Sequence, residues 1–230
     1  MAVVRKIPCV VRAVTDHGER VYTVELEPAV AVPRFKPGQF LHLALDAYEP
    51  DGFWPESRVF SIASSSTDRG RLTITYAVKG AFTTRMEGEL TEGVAVWAKL
   101  PYGEFVVDPA RDAVLFAGGT GITAFTAFLR ALEPAQASRV LLFYGARTPD
   151  LFVYGPLARA RAREVPAFTC SLVCEETDGR LKVDAAWPAI ATLHDPAFYL
   201  SGPPPMLVAL TVQLRGRGVS HDVIRTDAWE

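Results

Sequence analysis

The stretch Ala113-Val-Leu-Phe-Ala-Gly-Gly-Thr-Gly-Ile-Thr-Ala-Phe-Thr-Ala-Phe-Leu-Arg-Ala-Leu132 decides the fold of the second half of this chain. Ala113 to Ala117 is wholly apolar, as a short strand buried on both faces must be. Ile122, Phe125, Leu129 and Leu132 then recur at helical spacing, and the helix stops before Pro134. Between strand and helix, Gly118, Gly119, Thr120 and Gly121 leave the backbone almost bare. Their N–H groups and the helix N-terminus are suited to a pyrophosphate. The spacing is not the G-x-G-x-x-G of the dehydrogenase type, and turn chemistry alone is the competing reading.

The same grammar continues to the C-terminus. Strands are expected over 139–145, 167–174, 197–201 and 220–226, and helices over 156–163, 184–193 and 206–214. Repeated βα units imply a parallel sheet covered on both faces, with its ligand beyond the carboxyl ends of the strands where their order reverses. Before Asp108-Pro109 the pattern differs. Six runs rich in Val, Ile, Thr, Tyr and Phe (7–14, 20–27, 39–45, 58–63, 71–78 and 94–100) are separated by turns such as Asp68-Arg-Gly70, with one short helix over 81–90. The expected fold class is a β-barrel plus α/β: an antiparallel six-stranded barrel (1–108) followed by a Rossmann-like parallel-sheet domain (109–230).

Composition narrows the function. The 230 residues are 49% hydrophobic and 22% charged, enough for two packed cores. No apolar run approaches the roughly 20 residues that cross a bilayer, and Arg5, Lys6 and Pro8 interrupt any secretory signal. The reading is a soluble cytoplasmic protein with no membrane span. A net charge of −2 gives no electrostatic reason for nucleic acid. Cys9, Cys170 and Cys174 form neither a disulfide framework nor the four-thiolate set of an iron-sulfur cluster. The four histidines have no metal-ligand spacing, so no metal site is expected. Arg159, Arg161 and Arg163 are read chiefly as a solvated face.

Three motifs in order carry a family resemblance. Leu115 to Ala124, with Gly118, Gly119, Thr120, Gly121 and Ile122, closely resembles the nicotinamide-binding segment of the ferredoxin-NADP reductase family. Arg58, Val59, Phe60 and Ser61 resemble its Arg-x-Tyr/Phe-Ser/Thr flavin signature. Ser201, Gly202, Pro203, Pro204, Pro205 and Met206 resemble its Cys-Gly-Pro-Pro-Pro-Met segment, with Ser in place of the usual Cys. Looser matches at 37–40, 80–83, 103–105 and 143–147 fill the gaps.

The resemblance implies bound FAD and a nicotinamide donor, NADP or NAD. Arg58 would pair with phosphate, Phe60 pack on the isoalloxazine and Ser61 hydrogen-bond near flavin N5. Tyr76 and Val78 would line the flavin with backbone groups. Gly80, Ala81, Phe82, Thr83 and Thr84, opening the barrel helix, would meet the pyrophosphate. Gly118 to Ile122, with Gly202, Pro203 and Met206, would hold the nicotinamide nucleotide. Arg147 would meet the adenosine ribose, where a cation favours a 2′-phosphate. Trp229 would cover the flavin face, with Asp227 and Glu230 adding polar contacts; a frayed tail is the alternative. Ser61, Ser201 and Trp229 are the candidate catalytic residues.

The activity implied is hydride transfer from NAD(P)H to FAD, the electrons leaving for a separate redox protein such as a ferredoxin or oxygenase component. Two rivals stay open. One is an NAD(P)H:flavin reductase that releases its flavin; the other is a non-catalytic nucleotide-binding redox subunit.

Overall fold

The computed structural model describes residues 3–227, and the fold follows the two grammars of the sequence. Contacts between Cα atoms divide the chain into two compact units that meet at Val106 and Val107.

The first unit is a six-stranded antiparallel sheet in the order β4-β3-β6-β1-β2-β5. Its strands are β1 (Arg5–Asp16), β2 (Val21–Pro28), β3 (Phe40–Ala44), β4 (Ser57–Ser61), β5 (Leu72–Ala77) and β6 (Ala95–Tyr102). Alternation selects what is buried. Ile7, Cys9 and Val11 of β1, Leu41 and Leu43 of β3, Leu72 and Ile74 of β5, and Val96, Ala98 and Leu100 of β6 are almost wholly inaccessible. Each such aliphatic side chain contributes about 1.5–3 kcal/mol of burial, so the alternation fixes which way every strand faces. The edge strands β4 and β5 come back toward each other, curling the sheet into a nearly closed barrel. The rings of Phe60 and Tyr76 meet edge to face across that seam, 6.1 Å apart. Helix α1 (Ala81–Glu89) follows β5 and buries Phe82 and Met86.

The second unit is a parallel five-stranded sheet in the order β11-β10-β7-β8-β9. Its elements run β7 (Ala113–Gly118), α2 (Thr123–Ala131), β8 (Val140–Ala146), α3 (Gly155–Glu164), β9 (Phe168–Cys174), α4 (Glu175–Asp178), α5 (Val183–Ile190), β10 (Ala197–Ser201), α6 (Pro204–Gly216) and β11 (Ile224–Asp227). Every residue of the central strand β7 is buried. Val114 and Phe116 pack with Val183 and Ile190 of α5 and with Leu207, Leu210 and Leu214 of α6 in one core layer. The structure departs from the sequence expectation in detail: one turn of 3-10 helix, Gly119–Ile122, separates β7 from α2, α4 forms where the sequence analysis places no element, and a 3-10 turn at His221–Val223 delays the last strand to Ile224.

The chain passes from β7 to β8 and β9 on one side, then returns to place β10 and β11 on the other. The order therefore reverses between β7 and β10. The opposite edge of the sheet is tied shut: the carboxylate of Asp112 accepts the backbone N–H of Arg139 (2.8 Å) and of His194 (3.1 Å).

Candidate functional site

At that reversal the two glycine-bearing turns interlock. Ala117 pairs with Ser201 in register, so the turns after β7 and β10 leave the sheet side by side. A Cβ added to Gly121 would lie 2.4 Å from the carbonyl oxygen of Ser201, and one added to Gly118 would lie 2.5 Å from Sδ of Met206. Gly202, at φ +155°, would drive a Cβ to 2.6 Å from Cε of Met206. Met206 is thus a wedge between the two turns. Gly118, Gly121 and Gly202 are bare because backbone and sulfur already fill the space.

Gly119 is different. Its φ is +53° and a Cβ there would meet nothing within 4 Å. Gly118, which caps the 3-10 turn, supplies no side chain to its N–H groups. Thr123 donates its hydroxyl to the carbonyl of Thr120 (2.8 Å), fixing the turn. Pro204 and Pro205 occupy the first turn of α6, where no N–H is needed, and Pro203 accepts from Met206 N at 2.9 Å. The outcome is a pair of closely packed turns with open space on the Cβ side of Gly119.

Along the same edge, Arg147 follows β8 with its side chain exposed. Its carbonyl accepts the N–H of Glu176 (3.2 Å) and the thiol of Cys174 (3.5 Å), joining the ends of β8 and β9. Arg161, by contrast, is structural. Its guanidinium donates to the carbonyls of Leu129 (3.1 Å) and Leu132 and pairs with Glu164, so it closes the C-terminus of α2.

In the first unit, pairing of β3 with β4 sorts the flavin signature. Leu41 stands opposite Phe60 and Leu43 opposite Arg58, whereas Phe40 faces Ser61 and His42 faces Val59. Arg58 and Phe60 therefore share one face, and Val59 and Ser61 the other. The Arg58 guanidinium lies 5.2 Å from the ring centroid of Phe82 on α1, and Phe60 touches Tyr76, which packs on Tyr22 at 5.6 Å. Burial pushes the Tyr76 phenol well above its ordinary pKa, so it stays neutral. Arg58 pairs with Glu56 at 3.0 Å, but both are more than half exposed and such a pair is easily exchanged.

Beside Arg58 is the start of α1. Gly80 caps it in extended backbone without a side chain, and a Cβ there would meet nothing within 4 Å. Thr83 turns inward on the turn itself: its hydroxyl accepts the N–H of Lys79 (2.9 Å) and of Gly80 (3.1 Å). The first-turn N–H groups at Ala81, Phe82 and Thr83 thus have no capping side chain, while Thr84 is exposed. Unsatisfied donors, a neighbouring guanidinium and an open cradle fit a pyrophosphate. Val78, just before, donates its N–H to the carbonyl of Arg20 at 3.0 Å.

One contact had no sequence signal. The Ser201 hydroxyl donates to Oδ2 of Asp227 at 3.0 Å, and the two residues are 2% and 5% exposed. Adjacent parallel strands β10 and β11 set them in register. Trp229 and Glu230 lie outside the described residues. Among the described residues no His, Cys, Asp and Glu cluster is arranged for a metal, and no helix is long and apolar enough to cross a membrane.

A nearly closed antiparallel barrel with a bare helix start, and a parallel sheet with an open glycine turn at its reversal point, each offer a site suited to a dinucleotide. Residues 115–211 match the family model described as an oxidoreductase NAD-binding domain. This match and the relatives named below support a likeness to the ferredoxin-NADP reductase-like family of FAD- and NAD(P)-binding oxidoreductases. It is 30% identical over 208 residues to the phenol 2-monooxygenase reductase component DmpP of Pseudomonas sp. (strain CF600), covering 82% of this chain and 56% of that protein. Against the ferredoxin–NAD(P)(+) reductase CarAd of Metapseudomonas resinovorans the identity is 29%, over 85% of this chain and 60% of that one. The ferredoxin reductase of carbazole 1,9a-dioxygenase superposes with TM-score 0.77 and 27% identity, over 99% of this chain and 70% of that chain. The FAD/NAD-binding domain of nitric oxide dioxygenase from Vibrio cholerae shares the fold, with TM-score 0.78, 22% identity, and coverage of 97% and 98%. The chain spans less than two thirds of the length of the two reductases named first.

Proposed function

We propose that this chain is the flavin- and nicotinamide-binding part of an NAD(P)H-dependent reductase that passes electrons from bound FAD to a separate redox protein, a ferredoxin or an oxygenase component. The observation that carries the reading is the pair of bare sites: an uncapped α1 start beside Arg58 in the first unit, and the open glycine turn at the β7–β10 reversal in the second. Two such sites suit two dinucleotides. The names of the relatives, reductase components of oxygenases, support the acceptor class.

In this reading residues 1–108 hold FAD and residues 109–230 hold the nicotinamide nucleotide. Arg58 and the first-turn N–H groups of α1 bind the FAD pyrophosphate, and Phe60 and Tyr76 offer aromatic and backbone surface to the ring. Ser61 supplies a hydroxyl, with Val59 and Val78 contributing backbone. Gly118 to Ile122 receive the nicotinamide pyrophosphate, Arg147 the adenosine ribose, and Gly202, Pro203 and Met206 shape the ring pocket. Trp229 is assigned to the flavin face. The flavin and nicotinamide supply the hydride chemistry, while the protein orients and shields them. A cytoplasmic setting is part of the same proposal, in keeping with three free cysteines.

The test is to extract the purified protein with acid, identify the released flavin, and then measure NADH and NADPH oxidation with a one-electron acceptor dye. The expected result is FAD near one equivalent and rapid turnover with one of the nucleotides. Colourless protein that acts only on added flavin would replace the reading with a flavin reductase.

A further inference from the structure

An open strand edge is a template for pairing with another chain unless it is short, charged, kinked or covered. In the barrel sheet the edge strands β4 and β5 curl toward each other, and in the parallel sheet β11 is four residues long and carries the exposed Arg225. The remaining edge has no such guard. Strand β9 (Phe168–Cys174) is seven residues long, contains no charge and no proline, and keeps an unbroken register with β8. Val140 donates its N–H to the carbonyl of Ala167 (2.9 Å), and a parallel ladder bonds through alternate residues. Thr169, Ser171 and Val173 therefore turn their backbone groups to β8, and Cys170 and Leu172 turn theirs outward.

Charge beside this edge is polarised. Helix α3 runs back along β9, with Gly155 against Leu172 and Arg159 near Cys170, so the exposed Arg159 and Arg163 lie toward the beginning of the strand. Glu175 and Glu176, also exposed, follow its end. We propose that β9 is a self-recognition edge: two copies of this chain pair their β9 strands antiparallel about a two-fold axis through Ser171, joining the two parallel sheets into one. Cys170 then stands opposite Leu172 of the second copy, and each satisfies the outward N–H and C=O of the other. Ser171, whose side chain is exposed, meets its own symmetry mate in the close, non-hydrogen-bonded position. The antiparallel sense sets the basic beginning of one strand against the acidic end of the other, twice, whereas a parallel pairing would set like charge on like.

The test is analytical ultracentrifugation of the purified full chain under reducing conditions. The wild-type protein is expected to sediment at twice the chain mass at micromolar concentration, and the dimer should weaken as salt is raised. Ser171→Lys puts two ammonium groups at the axis, where the Cα atoms are about 4.5 Å apart, and should weaken dimerisation at least about tenfold while leaving the far-ultraviolet circular dichroism unchanged. Ser171→Cys should cross-link to its own copy on oxidation with diamide, with the disulfide mapped by peptide mass to position 171. A wild-type chain that stays monomeric up to its solubility limit would overturn the inference without any variant having to fold. A dimer that Ser171→Lys leaves at full strength, or in which Ser171→Cys forms no cross-link, would overturn it by placing the interface elsewhere.

Discussion

Gly121 and Ser201 meet backbone to Cβ position: a methyl group on Gly121 would lie 2.4 Å from the Ser201 carbonyl oxygen and 2.7 Å from Cα of Gly202. Neither partner can yield as a side-chain tip would, because both are main chain at the ends of central strands. Gly121→Ala should therefore part the two turns, costing on the order of 1–3 kcal/mol of stability and most of the nicotinamide-nucleotide affinity. Gly119→Ala is the control. Its methyl has open space, so the loss should be confined to the strain of φ +53°, about 1–2 kcal/mol, and urea unfolding with ADP-ribose titration would rank the two.

The start of α1 allows a substitution that separates helix stability from ligand binding. Gly80 is in extended backbone that any residue adopts and its Cβ direction is empty, so Gly80→Asp gives the helix a capping carboxylate. Thermal stability of the FAD-free protein should hold or rise slightly. FAD affinity should fall by at least about tenfold, since the carboxylate takes the donors and repels the pyrophosphate. Equilibrium dialysis of FAD against the apoprotein measures it. Unchanged FAD affinity would move the pyrophosphate elsewhere.

Arg58→Met keeps the length and apolar stem of the side chain over Phe82 while removing its charge. Loss of a charge-assisted phosphate contact, about 1.5–3 kcal/mol, predicts FAD binding weaker by roughly ten- to a hundredfold. Affinity for ADP-ribose should not change.

Arg161→Leu should act the other way. With the carbonyls of Leu129 and Leu132 left without their guanidinium, stability should drop by about 1–3 kcal/mol in urea unfolding. Nucleotide affinity of the folded fraction should match wild type. A selective loss of NADPH affinity would instead place this arginine at the ligand site.

The acid side of the stability profile carries a histidine signature. Burial first, and Lys99 second, hold His42 below its ordinary pKa of 6.5, and burial does the same for His17. A group whose folded pKa is depressed contributes stability that is present above its unfolded value and lost as pH falls through the folded one. Stability should thus decline from pH 6.5 downward, before the lowered carboxylates Glu27, Asp46, Glu87 and Glu89 begin to titrate. His42→Gln should flatten this first decline, read from urea midpoints across pH, and an identical slope in the variant would assign it elsewhere.

Both halves of the fold were legible because their apolar periods differ. The solid run at Ala113–Ala117 can only be a strand covered on both faces, while Ile7, Cys9 and Val11 alternate as a half-covered strand does. The glycine turns were legible as bare backbone, but not the reason for it: Met206 wedged on Gly118 is a contact between segments nearly ninety residues apart, set by β7 and β10 lying side by side. The Ser201–Asp227 bond was hidden for the same reason, since only strand order brings these residues together. Arg161 looked like its neighbours Arg159 and Arg163 until helix packing gave it two carbonyls. Helix α4 is four residues long, too short for any periodic signal.

The most direct test of the central claim is an anaerobic titration of the purified protein with NADH and with NADPH, following flavin absorbance near ~450 nm, where reduction by hydride bleaches the bound cofactor. The account predicts that one nucleotide bleaches the FAD completely at about one equivalent. Bound flavin that neither nucleotide reduces would contradict it.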